Sequence, residues 1–236
     1  MGDTCIVNIL TCAKAVEKEE LLRLQSLATT QFDSNKSEFE EPISWGFDFC
    51  EVLPKAIHFV ASTESIICGW AILDPANYYG LKTMEIAAIT TRRKRMGEQR
   101  IGKMIHDSII NYASEHKYDL VFLHAKDESV AAIYKKWGYH LVFQPEEIRD
   151  TSLPTSISDE SKGEEFKRQM ALMMYYSIDK PILLSDAFKT MIKKDTENMT
   201  LKGYYGNDRP KGGGLRKRKH TRRRITRGKK RRTIKR

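Results

Sequence analysis

The chain reads as an α/β protein of the α+β type: a mixed sheet with helices on its faces. Three observations predict this. Apolar, β-branched runs at 55–63, 65–73 and 83–90 follow one another with only polar turns between them. Amphipathic patterns at 102–116 and 129–139 then separate the later runs. The resulting order, β α β β β α β α β β, has strand neighbours early and helix crossovers late, so it excludes an all-parallel sheet.

Each element has its own warrant. "CIVNILTC" (5–12) is a short strand rich in β-branched residues. "KEELLRLQSLATTQF" places Leu21, Leu24, Leu27 and Ala28 at helical spacing. The polar, acidic "DSNKSEFEEP" is a connection. "KAIHFVAST" and "SIICGWAIL" form a hairpin through "STES", "DPANYYGLK" reads as a loop, and "TMEIAAIT" is a central strand, apolar at most positions. Ile105, Ile109, Tyr112 and His116 mark one face of a helix from about Gly102 to His116. "YDLVFLHA" is a strand, and "SVAAIYKKWGY" is a helix whose left-handed C-terminal cap falls on Gly138. "HLVFQ" is a strand, residues 144–169 are a polar insertion with little periodicity, and "MALMMYYSI" is the last strand. A short helix follows Pro181, and the chain reads as linker from about Glu197 to the "GGG" at 212–214. The units expected are therefore a domain over 1–180, a short helix and linker over 181–214, and a tail over 215–236.

Charge separates the tail from the rest. The 236 residues carry 41 Lys+Arg and 31 Asp+Glu, a net of +10, yet residues 215–236 alone hold 14 of the basic residues and no acid. Positions 1–214 are therefore net −4. The tail, "LRKRKHTRRRITRGKKRRTIKR", has no apolar periodicity and is expected to be disordered. Its charge suits non-specific DNA or RNA association or nuclear targeting, and it has no aromatic residue with which to stack on bases. Cys5, Cys12, Cys50 and Cys68 show no metal-ligand spacing and read as free thiols of an intracellular, reducing compartment, nucleus or cytoplasm. No apolar stretch approaches the roughly 20 residues of a membrane span, and neither a signal peptide nor a metal site is expected.

Two stretches carry chemistry. The first is the strand–turn–helix "MEIAAITTRRKRMGEQRIGKMIHDSIINYA". Backbone amides converging at a helix N-terminus suit a pyrophosphate, and Gly102 lets the backbone approach closely. Arg100 offers a guanidinium for a bidentate phosphate contact, and Arg92, Arg93, Lys94 and Arg95 form a basic cluster just upstream. The plainer reading of the same residues is a solvated basic turn. The second stretch is "DESVAAIYKKWGYHLV", residues 127–142.

Together with the strand order, these stretches resemble the GNAT superfamily of acetyl-CoA-dependent N-acetyltransferases over roughly residues 5–180. The family's Q/R-x-x-G-x-G/A turn, fitted with its last glycine on Gly102, puts Gly97 first and Arg100 at the central glycine, two departures from the pattern. Ile101, Gly102 and Lys103 continue it. Tyr134, Lys136, Gly138 and Tyr139 match the family's N-x-x-A-x-x-x-Y-x-K-x-G-F helix, with Asp127 in place of the usual Asn and Val130 in place of Ala.

The resemblance implies a mostly antiparallel central sheet splayed in its middle with helices on both faces, acetyl-CoA as co-substrate and an amine as acceptor. It implies Tyr134 as the acid that protonates the departing thiolate and Glu85 as the base. It places Ile89, Thr91, Gly97, Arg100, Ile101, Gly102, Lys103 and Asp127 at the cofactor. His58 and His124, on apolar strands, are alternative bases, and an ordinary packed role suits each of them. Two function classes remain open: an N-acetyltransferase, or an inactive domain of the same fold that serves as a nucleic-acid-binding or packaging module.

Overall fold

The computed structural model describes residues 5–34, 55–63, 66–78, 80–91 and 100–201. Gly97, the basic cluster at 92–95 and the tail at 215–236 lie outside them. The order is β1 (Ile6–Thr11), α1 (Ala15–Ser34), β2 (Ile57–Ser62), β3 (Ile67–Tyr78), β4 (Leu81–Thr91), α2 (Ile101–Glu115), β5 (Leu120–His124), α3 (Glu128–Lys136), β6 (His140–Leu141), α4 (Pro145–Arg149), α5 (Glu160–Ala171), β7 (Met173–Ser177) and α6 (Asp186–Leu201). No described helix is long and apolar enough to cross a membrane.

The seven strands form one sheet in the order β1-β2-β3-β4-β5-β7-β6. Every pairing is antiparallel except β4 with β5, which is parallel. The β4–β5 ladder covers only Thr83–Ile86 against Leu120–Leu123. Beyond Ile86, β4 continues to Thr91 along β3 alone. The sheet is therefore opened in its middle, as expected. A β-bulge lies at the point of divergence: Leu73 pairs with Ile86 and Ile72 with Ala88, which leaves Ala87 as the extra residue.

The period-2 alternation divides the core between the two faces. On one face, α2 and α3 bury Ile101, Ile105, Ile109, Ala131 and Tyr134 against Phe59, Ala71, Ile86, Val121 and Leu123. Gly69 makes this packing close, since a Cβ there would lie 2.8 Å from Ile105 Cδ1 and 3.0 Å from Ile101 Cγ2. On the other face two separate covers sit side by side. Leu21, Leu24 and Ala28 of α1 pack on Val60, Trp70 and Ile72. Phe166 and Met170 of α5, with Phe188 and Ile192 of α6, pack on Leu120, Phe122 and Met173.

Four local expectations are corrected. The loop expected over 74–82 is strand: β3 runs on to Tyr78 and turns at Gly80 (φ +81°) into β4. Pro75 is tolerated because β3 has by then passed the end of β2, whose last partner on it is Leu73. The insertion over 144–169 holds two helices. Gln144 and Glu147 cap α4 reciprocally, Asp159 caps α5, and Phe166, Gln169 and Met170 are buried. The last helix is longer than expected, and the linker does not begin at Glu197. Phe188, Ile192, Thr196 and Thr200 form its buried stripe, and each threonine hydroxyl donates to the carbonyl four residues earlier at 2.8 Å. That stripe closes the core over β5, so the packed unit extends past residue 180 to Leu201. Finally, Cys5 and Cys68 are free thiols, but Cys12 is disulfide-bonded.

Candidate active site

The first turn of α2 follows an N-cap, Arg100, whose side chain makes no capping hydrogen bond. The first intrahelical bond runs from the Met104 amide to the Arg100 carbonyl at 3.0 Å. The amides of Ile101, Gly102 and Lys103 therefore have no acceptor within the helix, the usual condition of an N-terminal turn. Arg100 has φ −79°, so its bulk imposes no left-handed strain on the turn.

Beside that turn, where β4 leaves β5, is a cleft of about 130 Å3 lined by Ile89, Thr90, Thr91, Gly102, Val130, Ile133, Tyr134 and Trp137. One wall is the end of β4, which has no ladder partner on the β5 side. The opposite wall is α3. Thus four expected residues, Ile89, Thr91, Gly102 and Tyr134, are brought together in one hollow. Gly102 lies within α2 itself, where a Cβ would find ordinary contacts of 3.6 Å to Trp137 and 3.7 Å to Thr91. The protein's own packing does not require glycine there.

Tyr134 is 5 % exposed, and its hydroxyl has no hydrogen-bond partner among the described residues. Its ring meets Trp137 and Tyr139 edge-on, at centroid distances of 5.4 and 5.1 Å. Burial pushes its phenol up to about 12. The group therefore stays protonated through the physiological range and is always loaded as a proton donor.

Glu85 lies on the opposite face of β4. Its cross-strand partners are Asp74 on β3 and Phe122 on β5, and direct partners in a sheet share a face. Phe122 belongs to the core under α6, and Ile72, two residues before Asp74, packs under α1. Glu85 and Asp74 therefore sit in the gap between the two covers. Burial pushes the Glu85 carboxyl up to about 7, with further upward pressure from Asp74 and from Asp195 of α6. A carboxyl balanced near neutrality is suited to accepting a proton.

Other expected residues have different tasks. The Ile101 side chain is in the core, 4 % exposed, so only its amide is available to a ligand. Lys103 pairs with Asp107 one turn along α2. Asp127 caps α3: its Oδ1 accepts from the Val130 amide at 2.9 Å and from the Ser129 hydroxyl at 2.6 Å, which is a structural role. His58 is fully buried, and its Nδ1 accepts from Trp70 Nε1 at 3.1 Å. Burial holds its imidazole down at about 4, so it is a core histidine. His124 ends β5 and is partly buried.

Sequence reasoning missed Trp137, Asp74 and Asp195. Trp137 was visible as an aromatic one turn beyond Ile133 on the same helical face. Asp74 was hidden by Pro75, which argued for a loop.

No family model matches the chain, and no curated protein matches it. Solved structures do resemble it. A GNAT-family N-acetyltransferase, YhbS, from Escherichia coli in complex with CoA is 12 % identical, with a TM-score of 0.48 over 87 % of this chain and 89 % of that one. The catalytic domain of Tetrahymena GCN5 histone acetyltransferase in complex with coenzyme A is 11 % identical, with a TM-score of 0.44 over 79 % and 99 %. A putative N-acetyltransferase from Lactobacillus plantarum is 11 % identical, with a TM-score of 0.45 over 75 % and 99 %. At these values the likeness is one of general shape, and the cleft stands on its own geometry.

Proposed function

We propose that the chain transfers an acetyl group from acetyl-CoA to an amine by direct attack. The observation that supports this reading is the cleft beside β4 where the sheet opens, with Tyr134 in its wall under α2 and α3; Glu85 is on the reverse face of β4, one residue before its ladder with β5 ends. Acetyl-CoA supplies an activated acyl thioester.

The residues fit such a co-substrate. The uncapped amides of Ile101, Gly102 and Lys103 provide donors for a diphosphate, and the helix dipole favours its charge. The unpaired edge of β4 from Ala88 to Thr91 can pair with an amide-bearing arm as an added strand would. An amine side chain has a reference pKa of about 10.4 and arrives protonated. Glu85 takes that proton, directly or through water, and frees the nitrogen lone pair. Tyr134 gives its proton to the departing sulfur, which removes the cost of expelling a bare thiolate.

The decisive experiment is thermal unfolding with and without acetyl-CoA, followed by thiol release with candidate amines. At 100 times Kd the ligand should stabilise the fold by about 2.7 kcal/mol. No shift at millimolar acetyl-CoA favours the alternative, an inactive domain of this fold, for which the departures at Gly97 and Arg100 speak. The tail at 215–236 is proposed to add salt-sensitive association with DNA or RNA. Its deletion should abolish that association and leave turnover of a small amine intact.

A further inference from the structure

We propose that His106, Tyr139 and Tyr134 hold one internal water, and that this water donates to the Tyr134 oxygen as the phenol gives up its proton. The inference rests on the reading of Tyr134 as the acid, and it adds the group that lets the acid act.

Two polar atoms behind the cleft are buried without a partner among the described residues: His106 Nε2 and the Tyr139 hydroxyl. Both residues are 3 % exposed. They belong to one cage of rings. His106 of α2 meets Trp137 at 4.9 Å and Tyr139 at 5.6 Å between ring centroids, and Tyr139 meets Tyr134 of α3 at 5.1 Å. Tyr176 of β7 closes the cage, 5.4 Å from Tyr139 and 6.1 Å from His106. Gly138 sets Tyr139 in place: with φ +94° it turns the chain out of α3, and a Cβ there would lie 3.1 Å from Tyr176 Cε2. Apolar side chains would fill the same space at lower cost, because a buried polar atom left unpaired is destabilising.

The two atoms are complementary. The other imidazole nitrogen, Nδ1, is 3.1 Å from Asp107 Oδ1. A carboxylate only accepts, so Nδ1 carries the hydrogen and Nε2 is an acceptor. Burial outweighs the pull of Asp107 and holds the imidazole below its ordinary value, with Lys103 pushing the same way, so the ring is neutral at pH 7. The Tyr139 phenol is held well above its ordinary value by burial and by Tyr134 and Tyr176, so it keeps its proton and can donate. One water satisfies both atoms by accepting from Tyr139 and donating to His106 Nε2. Its second hydrogen is then available to the Tyr134 oxygen, which gives it the three bonds usual for a buried water.

That third bond bears on the chemistry. Burial pushes the Tyr134 phenol up to about 12, whereas a thiol has a reference value of about 8.5. Passing a proton from Tyr134 to a departing thiolate is therefore uphill unless the phenolate left behind is stabilised. A donor already in place, shielded from bulk solvent, supplies that stabilisation at the moment of transfer. As the C–N bond forms and the C–S bond breaks, sulfur takes the Tyr134 proton, and the phenolate accepts from the water, which stays whole. The amine's two protons leave through Glu85 and solvent, and solvent returns one to the phenol. His106 and Tyr139 act only through the water and are positioning residues.

Two double-mutant cycles on the full chain test this. In the first, urea unfolding compares Tyr139→Phe, His106→Leu and the double variant with wild type. Phe keeps the ring contacts, so coupling reports the hydroxyl. The double variant should lose less stability than the two single variants together. Losses that simply add show that the two atoms share no water and overturn the proposal, and this cycle needs no acceptor. In the second, turnover of acetyl-CoA is measured with spermidine or a lysine-rich peptide. Tyr139→Phe should lower kcat about 10- to 100-fold with KM for acetyl-CoA unchanged, and should have no effect in the Tyr134→Phe background. His106→Gln, which keeps a buried acceptor, should retain more of the rate than His106→Leu. A wild-type rate in Tyr139→Phe, or a loss that persists in the Tyr134→Phe background, overturns the proposal and leaves the acetyltransferase reading standing. If no amine is turned over and acetyl-CoA does not shift unfolding, that reading fails and the role of the water fails with it.

Discussion

Asp74 and Glu85 face each other across β3 and β4, two carboxyl groups on neighbouring strands, with the field of Lys55 acting on Asp74. Replacing Asp74 with Asn removes one negative neighbour from Glu85. The Glu85 carboxyl, now near 7, should ionise at lower pH. The acid limb of the kcat/KM profile should move down by up to about one pH unit. A limb that stays in place would show that Glu85 is not the group being titrated.

The same raised pKa has a signature in stability. Between the ordinary carboxyl value of 4.5 and about 7, the folded chain holds a proton on Glu85 that the unfolded chain has lost. Its contribution is therefore full below 4.5 and disappears as pH rises through 7. Glu85→Gln should be inactive yet gain in melting temperature over wild type between pH 6 and pH 8. Melting scans across that range measure it, and a constant difference between the two proteins counts against the burial of Glu85.

Tyr134→Phe keeps the ring that packs against Trp137 and Tyr139 and removes only the hydroxyl. Turnover should fall by about 10²-fold while the dissociation constant for acetyl-CoA stays the same. Calorimetric binding beside steady-state rates would separate the two. Equal turnover in both proteins excludes the phenol as the acid.

Two glycines should respond in opposite directions to alanine. At Gly69 a methyl group meets Ile105, Ile101 and the Thr90 carbonyl at 2.8–3.0 Å, so Gly69→Ala should cost about 1–3 kcal/mol. At Gly102 the nearest atoms are 3.6 Å away and the position is helical, so Gly102→Ala should raise stability by up to about 1 kcal/mol. Gly102→Glu should fold equally well and lose acetyl-CoA binding, because its carboxylate stands where the amides favour a phosphate. Denaturant titrations and a binding isotherm cover all three variants.

Trp137 lines the cleft, whereas Trp70 is buried under α1. Titration with acetyl-CoA should change the tryptophan emission, and Trp137→Phe should abolish that change. With Trp45 replaced as well, a signal that survives would place the ligand elsewhere.

Periodicity made most of the architecture legible. The helix over 102–116, the strand at 83–90 and the cap at Gly138 (φ +94°) are all visible as local patterns, because each is decided by neighbours within a turn or two. What escaped depends on contacts distant in sequence. Pro75 sits in a strand only because β2 has already ended beside it. Thr196 and Thr200 are buried because α6 packs over β5, a strand far earlier in the chain, and their hydroxyls are then satisfied within the helix. The two halves of the site were unequal for the same reason. Tyr134 stands in a local motif, but Asp74 and Asp195 reach Glu85 from a neighbouring strand and from a helix more than a hundred residues away.

Only four residue pairs, Thr83–Leu120 to Ile86–Leu123, stitch the β1–β4 half of the sheet to the β5–β7–β6 half. In the first half β2, β3 and β4 are a meander of adjacent hairpins, dominated by local contacts, whereas the second half is covered only when α6 packs on it. The seam should then behave as the boundary between two cooperative units in amide exchange, with Ala88–Thr91 among the least protected strand amides and slowed most when a ligand bridges them. Substrate would in that case act as mortar as well as reactant.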